Sequence, residues 1–546
     1  MDPDAPLGRD ASRFLPRLGS MIAQPEPIAC LLVLTVSLTL FAYRAGATSL
    51  WYDETASLAR ANLSWPLFWQ RHETNMLLYE VLLHFWLAAT GLGGIHQSAL
   101  VARLPSILAM ALTSIVIVLI GSRYWSTVTG LVAGLIFASD GIILGLSQQA
   151  RGYAFELLFS CLAWCTVLLI LRRPEQTRWW VLYAVATVLA IYTDVISVFD
   201  VAAQVAAVGL LFIPQVARRT EDLEVPQGRV LRTFLIPGAA TLSGIFVACA
   251  YLAYDGISRS SNLSWVPVAT PSSLWKFFYD QAEHHTVAAA ALLAAVALGL
   301  VLGLRSRRGL SIVLLPWAII PVFGPYLLTQ PHLDFHFFYP RYLSAGVPAL
   351  ALLAAIGVTG IRLKALALVA SGALLALLAL TLSTYYSLYA EHQPLAEVTA
   401  WMEHRYAVGD GFICRPDNSV CGVPIGYYLE HLYPGPHYMP TYFPGLYDWA
   451  LSMSRSSSDA TLKSYLPRQK DVFVFTVGPI GGDPDTVVDN VPGFLTHFGE
   501  KLEATYRPAG TGDKGDVEVQ EYARAKVAAS RRSRPSTRAA ISTLSK

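Results

Sequence analysis

From Ile28 to about residue 383 the chain returns again and again to apolar runs long enough to cross a bilayer, and this recurrence constrains the fold more than any other feature. Charged residues make up 14% of the 546 residues, against about 25% in a soluble globular chain. The mean hydropathy is +0.44. Most of the length is therefore spent crossing a membrane. Hydropathy segmentation predicts about eleven spans, near 27–46, 104–121, 126–145, 152–171, 179–193, 195–213, 233–253, 286–304, 309–328, 343–360 and 365–383. The fifth and sixth are short and nearly continuous. The first is read as a retained helix, because no clean cleavage site follows it.

The basic residues fix an orientation. With the N-terminus cytoplasmic, the inside connections carry Arg9, Arg13 and Arg17, then Arg123, Arg172 and Arg173, then Arg218, Arg219, Arg229 and Arg232, then Arg305, Arg307 and Arg308, and last Arg362 and Lys364. Every inside loop is basic, as the positive-inside rule requires. The prediction is a multi-pass plasma-membrane protein with a cytoplasmic segment 1–26, a membrane domain 27–383, and an extracytoplasmic C-terminal domain 384–525. A basic, Ser-rich tail, 526–546, has the composition of a disordered segment. A formal net charge of +2 gives no reason to expect nucleic acid as a partner.

Within this frame the first outside loop, 47–103, is more than a linker. "ETASLARANLSWPLFWQ" and "NMLLYEVLLHFWLAA" read as amphipathic helices, and Trp65, Trp69 and Trp86 suit the interface. In the C-terminal domain "HQPLAEVTAWMEH" and "GFLTHFGEKLEATY" read as helices. "DGFICR", "DVFVFTVG" and "DVEVQEYAR" read as strands, which gives a small α/β unit. Of the six cysteines, Cys30, Cys161, Cys165 and Cys249 fall in spans and read as buried thiols. Cys414 and Cys421 share the outside domain, where a bridged and an unbridged pair both remain open. "ANLSW" (Asn62) and "SNLSW" (Asn262) fit the N-glycosylation pattern, which matters only in a glycosylating host.

"LWYDETASLARANLSW" (Leu50 to Trp65) places two adjacent carboxylates, Asp53 and Glu54, where the chain leaves the first span. Alone they would read as acids at a helix N-terminus. In the predicted topology, however, Arg151, Arg341, His72, Glu73, His284 and His285 reach the same outside face. A carboxylate pair, cations and imidazoles at one membrane surface suit a phosphate-bearing lipid headgroup.

"WYDETASLARAN", "HETNMLLYEVLLHFWLAATG", "ARLPS", "LSQQARGYAFELL" and "YPRYLSAGVP" stand in that order. Together they resemble the GT-C membrane glycosyltransferases that use polyprenyl-phosphate sugars, within the protein O-mannosyltransferase and aminoarabinose transferase superfamily. The likeness covers roughly residues 27 to 385. It implies a helical membrane bundle of GT-C type and transfer of a monosaccharide from a polyprenyl-phosphate donor. The acceptor would be a glycan, a lipid-linked glycan or a protein. It further implies that Asp53, with Glu54 beside it, serves as the base. Arg151 and Arg341, with Tyr153 and Tyr342, would lie at the lipid phosphate. Glu73 resembles a metal-holding acid of the aminoarabinose branch, with His285, His284 or His72 to complete the set, so a divalent ion stays open as cofactor. The chain departs from the family where Asn75 and Met76 replace Pro-Pro and where Gln149 replaces an acid. The second catalytic carboxylate is thereby open, and Glu156 reaches the site only if its helix turns suitably.

Two other functions compete. A lipid or sugar transporter would place its charges at mid-membrane, where Asp194 and Asp200 are the candidates. A non-catalytic scaffold of GT-C type would act through its outside domain.

Overall fold

The computed structural model describes residues 25–72, 74–90, 99–213, 231–258, 266, 268–330, 337–388, 396, 405, 411–415, 428, 450–452, 471–477, 500–506 and 517–523. The N-terminal segment, the basic tail, Glu73, Asn262, Cys421 and nearly all of the expected helix "HQPLAEVTAWMEH" lie outside them. The chain divides into two compact units. The larger holds residues 1–46, 65–89 and 100–386, and the smaller holds 47–64, 90–99 and 387–546.

The larger unit is helical. Its elements are α1 (Pro25–Ala42), α3 (Trp65–Arg71), α4 (Leu77–Thr90), α5 (Ala99–Tyr124), α6 (Thr127–Ala138), α7 (Gly141–Ser147), α8 (Tyr153–Arg172) and α9 (Thr177–Thr193). They continue with α10 (Val198–Leu211), α11 (Ile236–Ser258), α12 (Pro271–Gln281), α13 (Thr286–Ser306), α14 (Arg308–Leu328), α15 (Val347–Thr359) and α16 (Lys364–Leu388). Among the described residues, eight helices are long and apolar enough to cross a membrane, or nine if the bent pair α6–α7 is one span. This describes a multi-pass membrane protein, and the fifth and sixth expected spans are present as shorter apolar helices.

Breaks and short helices have local causes. α6 and α7 meet at 67°, and Asp140 makes the break by accepting the Ile143 N–H at 3.1 Å. The fifth and sixth expected spans are only 17 and 14 residues long. Asp194 ends the first of them and caps the one-turn helix that follows, accepting the Ile196 N–H at 3.0 Å. Likewise "ETASLARANLSWPLFWQ" forms two helices rather than one. α2 (Tyr52–Ala61) stops at Asn62, and α3 starts at Trp65 with Pro66 in its first turn, where a missing N–H costs nothing.

The core of the unit is closely packed. Trp164 and Trp317, both fully buried, stack with ring centroids 4.7 Å apart. The Trp317 indole N–H donates to the Ala345 carbonyl at 3.0 Å. α13 and α15 touch backbone to backbone, since a Cβ at Gly357 would meet the Ala295 carbonyl and one at Gly299 would meet that of Leu353. Small residues permit this approach in a bilayer, where helices associate by van der Waals contact.

The smaller unit holds α2 and a five-stranded sheet of β1 (Gly411–Arg415), β2 (Ala450–Ser452), β3 (Asp471–Val477), β4 (Glu500–Tyr506) and β5 (Val517–Ala523). The order is β2-β1-β3-β5-β4, with β1 parallel to β2 and β3, and β5 antiparallel to β3 and β4. The helix expected over "GFLTHFGEKLEATY" is therefore a strand in its second half. Leu502, Ala504 and Tyr506 alternate with Lys501, Glu503 and Thr505, which is the period of a strand.

Candidate functional site

In the smaller unit, Tyr52, Asp53 and Glu54 form the first turn of α2. Here the two acids take different roles. Glu54 is fully buried, and its Oε2 accepts the Trp51 N–H at 3.2 Å, the third-position half of a capping box. Asp53, one residue earlier, keeps partial exposure. The approach to this turn is tied down within the same unit. The Leu50 N–H donates to the Tyr428 hydroxyl at 2.6 Å, and the Ala396 N–H donates to Ser49 Oγ at 3.1 Å.

In the larger unit the remaining motifs converge. Ser106, of "ARLPS", donates its hydroxyl to the Arg151 carbonyl at 3.3 Å. Gly152 sits where a Cβ would lie 2.8 Å from the Thr193 carbonyl and 3.3 Å from Tyr79 Cβ, so only glycine allows this closeness. Tyr79, of "NMLLYE", and Phe155, of "RGYAFE", place their rings 6.0 Å apart. Arg151 and Tyr153 are buried at 5% and 2% exposure. The 3₁₀ segment Pro340–Gly346 packs against α7, the start of α8, α14 and α15. On it, the Arg341 guanidinium lies over the rings of Tyr339 and Tyr342, 4.9 and 5.9 Å from their centroids. Four sequence-distant motifs thus meet at one end of one bundle, and they carry two arginines there.

Gln148 holds that end to α1. Its amide donates to the carbonyls of Phe41 and Tyr43 at 3.0 and 2.9 Å, and its Oε1 accepts the Tyr385 hydroxyl at 3.1 Å. The departure at Gln149 drew attention in the sequence, yet it is the neighbouring glutamine, 1% exposed, that joins α1, α7 and α16. Gln148→Leu leaves two helix-terminal carbonyls and a tyrosine hydroxyl without this partner. We expect it to cost about 1–3 kcal/mol per buried group left unpaired, read as a fall in thermal midpoint of detergent-purified protein that Gln148→Glu does not fully reverse.

Other expected residues are placed elsewhere. Glu156 is buried at 1% exposure, and its Oε1 accepts hydroxyls from Ser160 at 3.3 Å and Ser197 at 3.1 Å. It faces the α9–α10 junction, where Asp194 and Asp200 are also buried. Asp200 Oδ1 lies 3.4 Å from the Trp164 indole N–H that donates to it. His72 Nδ1 is 3.0 Å from the Trp69 carbonyl, and its Nε2 is 3.3 Å from the Tyr251 hydroxyl and 3.7 Å from Asp255 Oδ2. Thr74 donates to the same Asp255 oxygen. This Asp255 partnership had no sequence signal, since the residues stand far apart on different elements. His284 pairs with Asp280 at 3.1 Å, and His285 Nε2 is 2.7 Å from Thr384 Oγ1. Among the described residues no group of three or more His, Cys, Asp or Glu side chains could hold a metal ion, and Glu73 is not among those residues.

This arrangement of helices is the GT-C fold of membrane glycosyltransferases. The crystal structure of ArnT from Cupriavidus metallidurans in the apo state is similar, with a TM-score of 0.53 over 90% of this chain and 97% of that one, at 12% identity. The same protein bound to undecaprenyl phosphate gives 0.50 at the same identity and coverage. Residues 80–243 match the family model described as dolichyl-phosphate-mannose-protein mannosyltransferase. That segment carries "ARLPS" and "QARGYAFE", whereas Asp53 and Arg341 lie outside it. Family and structural neighbours alike are glycosyltransferases. No curated protein matches the chain in sequence.

Proposed function

We propose that the protein is an inverting membrane glycosyltransferase that moves a monosaccharide from a polyprenyl-phosphate donor to an acceptor on the extracytoplasmic side. Asp53 takes the proton from an acceptor O–H or N–H. The freed electron pair attacks the anomeric carbon from the face opposite the lipid. The bond from that carbon to the phosphate oxygen breaks, and polyprenyl phosphate leaves with the bonding electrons. Arg151 and Arg341 stabilise the charge that grows on the leaving phosphate, with Tyr153 and Tyr342 beside them. The acceptor is a glycan, a lipid-linked glycan or a protein side chain. In this reading the N-terminus is cytoplasmic, and the domain 384–525 stands outside and contributes to acceptor choice.

The observation that carries this reading is the convergence of the Tyr79, Ser106, Arg151–Tyr153 and Pro340–Gly346 segments within a GT-C fold. ArnT of the same fold has been captured with undecaprenyl phosphate, which supports a lipid phosphate as the chemistry to test first. Transport is less well supported. Asp194 and Asp200 are tied into turns and to Trp164, and neither is among the residues lining the apolar crevice described below.

The test is purified protein in nanodiscs with a panel of polyprenyl-phosphate monosaccharides, following free polyprenyl phosphate by mass spectrometry. One donor is expected to be consumed, faster with acceptor present. Transfer of intact donor across the bilayer without release would replace this reading by transport. Arg341→Lys sharpens the test. It keeps the charge and loses the planar fork and its stacking on Tyr339. Expected is a rise in donor KM of about tenfold, the size of one lost charge-assisted hydrogen bond, with kcat less affected.

A further inference from the structure

At the end of the helical unit opposite the convergent motifs, α8, α9, α10 and α11 enclose a crevice of about 310 Å³. This is at the lower edge of the roughly 300–1,000 Å³ range of ligand pockets. Its walls are apolar and rich in aromatic rings, with Ile170, Trp180, Val205, Phe212, Phe234 and Leu242 among them. The polar pair inside is closed on itself, since the Tyr183 hydroxyl donates to Gln204 Oε1 at 2.9 Å. Such a cavity offers few partners to water, which needs two or more polar groups. The crevice also opens sideways: Val205 and Leu235 on its lining are 46% and 51% exposed.

The mouth is basic. α8 ends in Arg172 and Arg173, α9 begins with Arg178, and Arg232 stands in the π-helical turn Leu231–Leu235 that supplies Phe234 and Leu235 to the wall. Among the described residues here, Glu175 is the one acid against these four arginines. Arg232, Arg173 and Arg178 are exposed. Arg178 is steadied by its Nε bond to Gln176 Oε1 at 3.1 Å and by the Trp179 ring 4.5 Å from its guanidinium carbon. By the positive-inside rule this end faces the cytoplasm, where the leaflet carries the anionic lipids.

We propose that the crevice is a binding site for one anionic phospholipid, with an acyl chain between α8, α9, α10 and α11 and its phosphate held by Arg178 and Arg232. The charge at the mouth selects the headgroup, and the apolar walls select a chain. The site lies at the other end of α8 from Tyr153 and shares no residue with the proposed donor site, and it stands whether or not the transferase reading does.

Gly209 lines the crevice, and a Cβ there would meet nothing within 4 Å. The backbone at 209 thus accepts a Cβ, and Gly209→Phe adds an aromatic ring to the crevice lining. The experiment is native mass spectrometry of the full chain released from micelles containing phosphatidylglycerol or phosphatidylcholine, paired with photo-crosslinking by a phosphatidylglycerol bearing a diazirine on its acyl chain. Expected for the wild type is one retained phosphatidylglycerol, favoured over phosphatidylcholine, with cross-links in 204–212 and 234–242. Gly209→Phe should lose it, and Arg178→Gln with Arg232→Gln should lower the headgroup preference by about fivefold per arginine removed. Equal retention of the two lipids by the wild type, cross-links confined to other segments, or undiminished retention by Gly209→Phe would each overturn the proposal. The wild-type cross-linking map decides it even if a variant fails to fold.

Discussion

Asn in place of Asp53 is expected to lower release of polyprenyl phosphate by about 10²–10⁴-fold, the contribution of a positioned general base, with little change in thermal midpoint. Glu54→Gln should behave in the opposite way. Glu54 is fully buried, with its carboxylate bonded to the Trp51 N–H, and glutamine serves the same position of a capping box. Its turnover should stay within a few-fold of wild type, whereas Glu54→Ala should cost about 1 kcal/mol of stability through the lost cap. The two neighbouring acids thus separate by readout: one changes rate at constant stability, and the other changes stability at nearly constant rate. The measurement is initial rate of lipid-phosphate release beside a melting curve for each variant. If Asp53→Asn turns over normally while Glu54→Gln is dead, the base has been assigned to the wrong carboxylate.

The sequence carried the membrane class and the family likeness because both are written in local runs: apolar stretches of span length, and short motifs such as "ARLPS" and "QQARGY". It did not show where the spans are shortened or bent. α9 and α10 are each apolar, but the capping side chain of Asp194 cuts them short, and Asp140 bends α6 from α7 in the same way. Hydropathy averages over a window and does not see one carboxylate accepting one N–H. The strand Glu500–Tyr506 was missed for a related reason, since EKLEATY has good helix formers and yields to alternation only once β5 is present to pair with it. At the candidate site, the motif residues were legible but their partners were not. Gln148 acts through carbonyls of Phe41 and Tyr43 more than a hundred positions away, and Asp255 meets His72 and Thr74 only after α11 packs on the first loop. Backbone carbonyls have no side-chain signature in a sequence, so a residue whose work is to hold them stays hidden.

Leu in place of Gly357 is expected to abolish recovery of folded protein, the largest stability effect in the chain. Overpacking usually costs about 1–3 kcal/mol because flexible side chains yield, but here there is no side chain to yield. A Cβ at 357 would meet the Ala295 carbonyl and lie 2.8 Å from the Gly299 N, all of it helix backbone. The two helices would have to part, and in a bilayer their association rests on the contacts that parting removes. α15 follows directly from the Pro340–Gly346 segment that carries Arg341, so a displaced α15 would also move that guanidinium. Gly372→Leu on α16 is the control, since a Cβ there has nothing within 4 Å. Size-exclusion profiles and thermal midpoints in detergent should show Gly372→Leu near wild type and Gly357→Leu aggregated or melting far lower. The smaller step Gly357→Ala already meets the same carbonyl. It should give a partly destabilised protein whose donor KM rises, because the segment bearing Arg341 is joined to the helix that moves. Equal midpoints for Gly357→Leu and Gly372→Leu would mean that α13 and α15 are not in backbone contact.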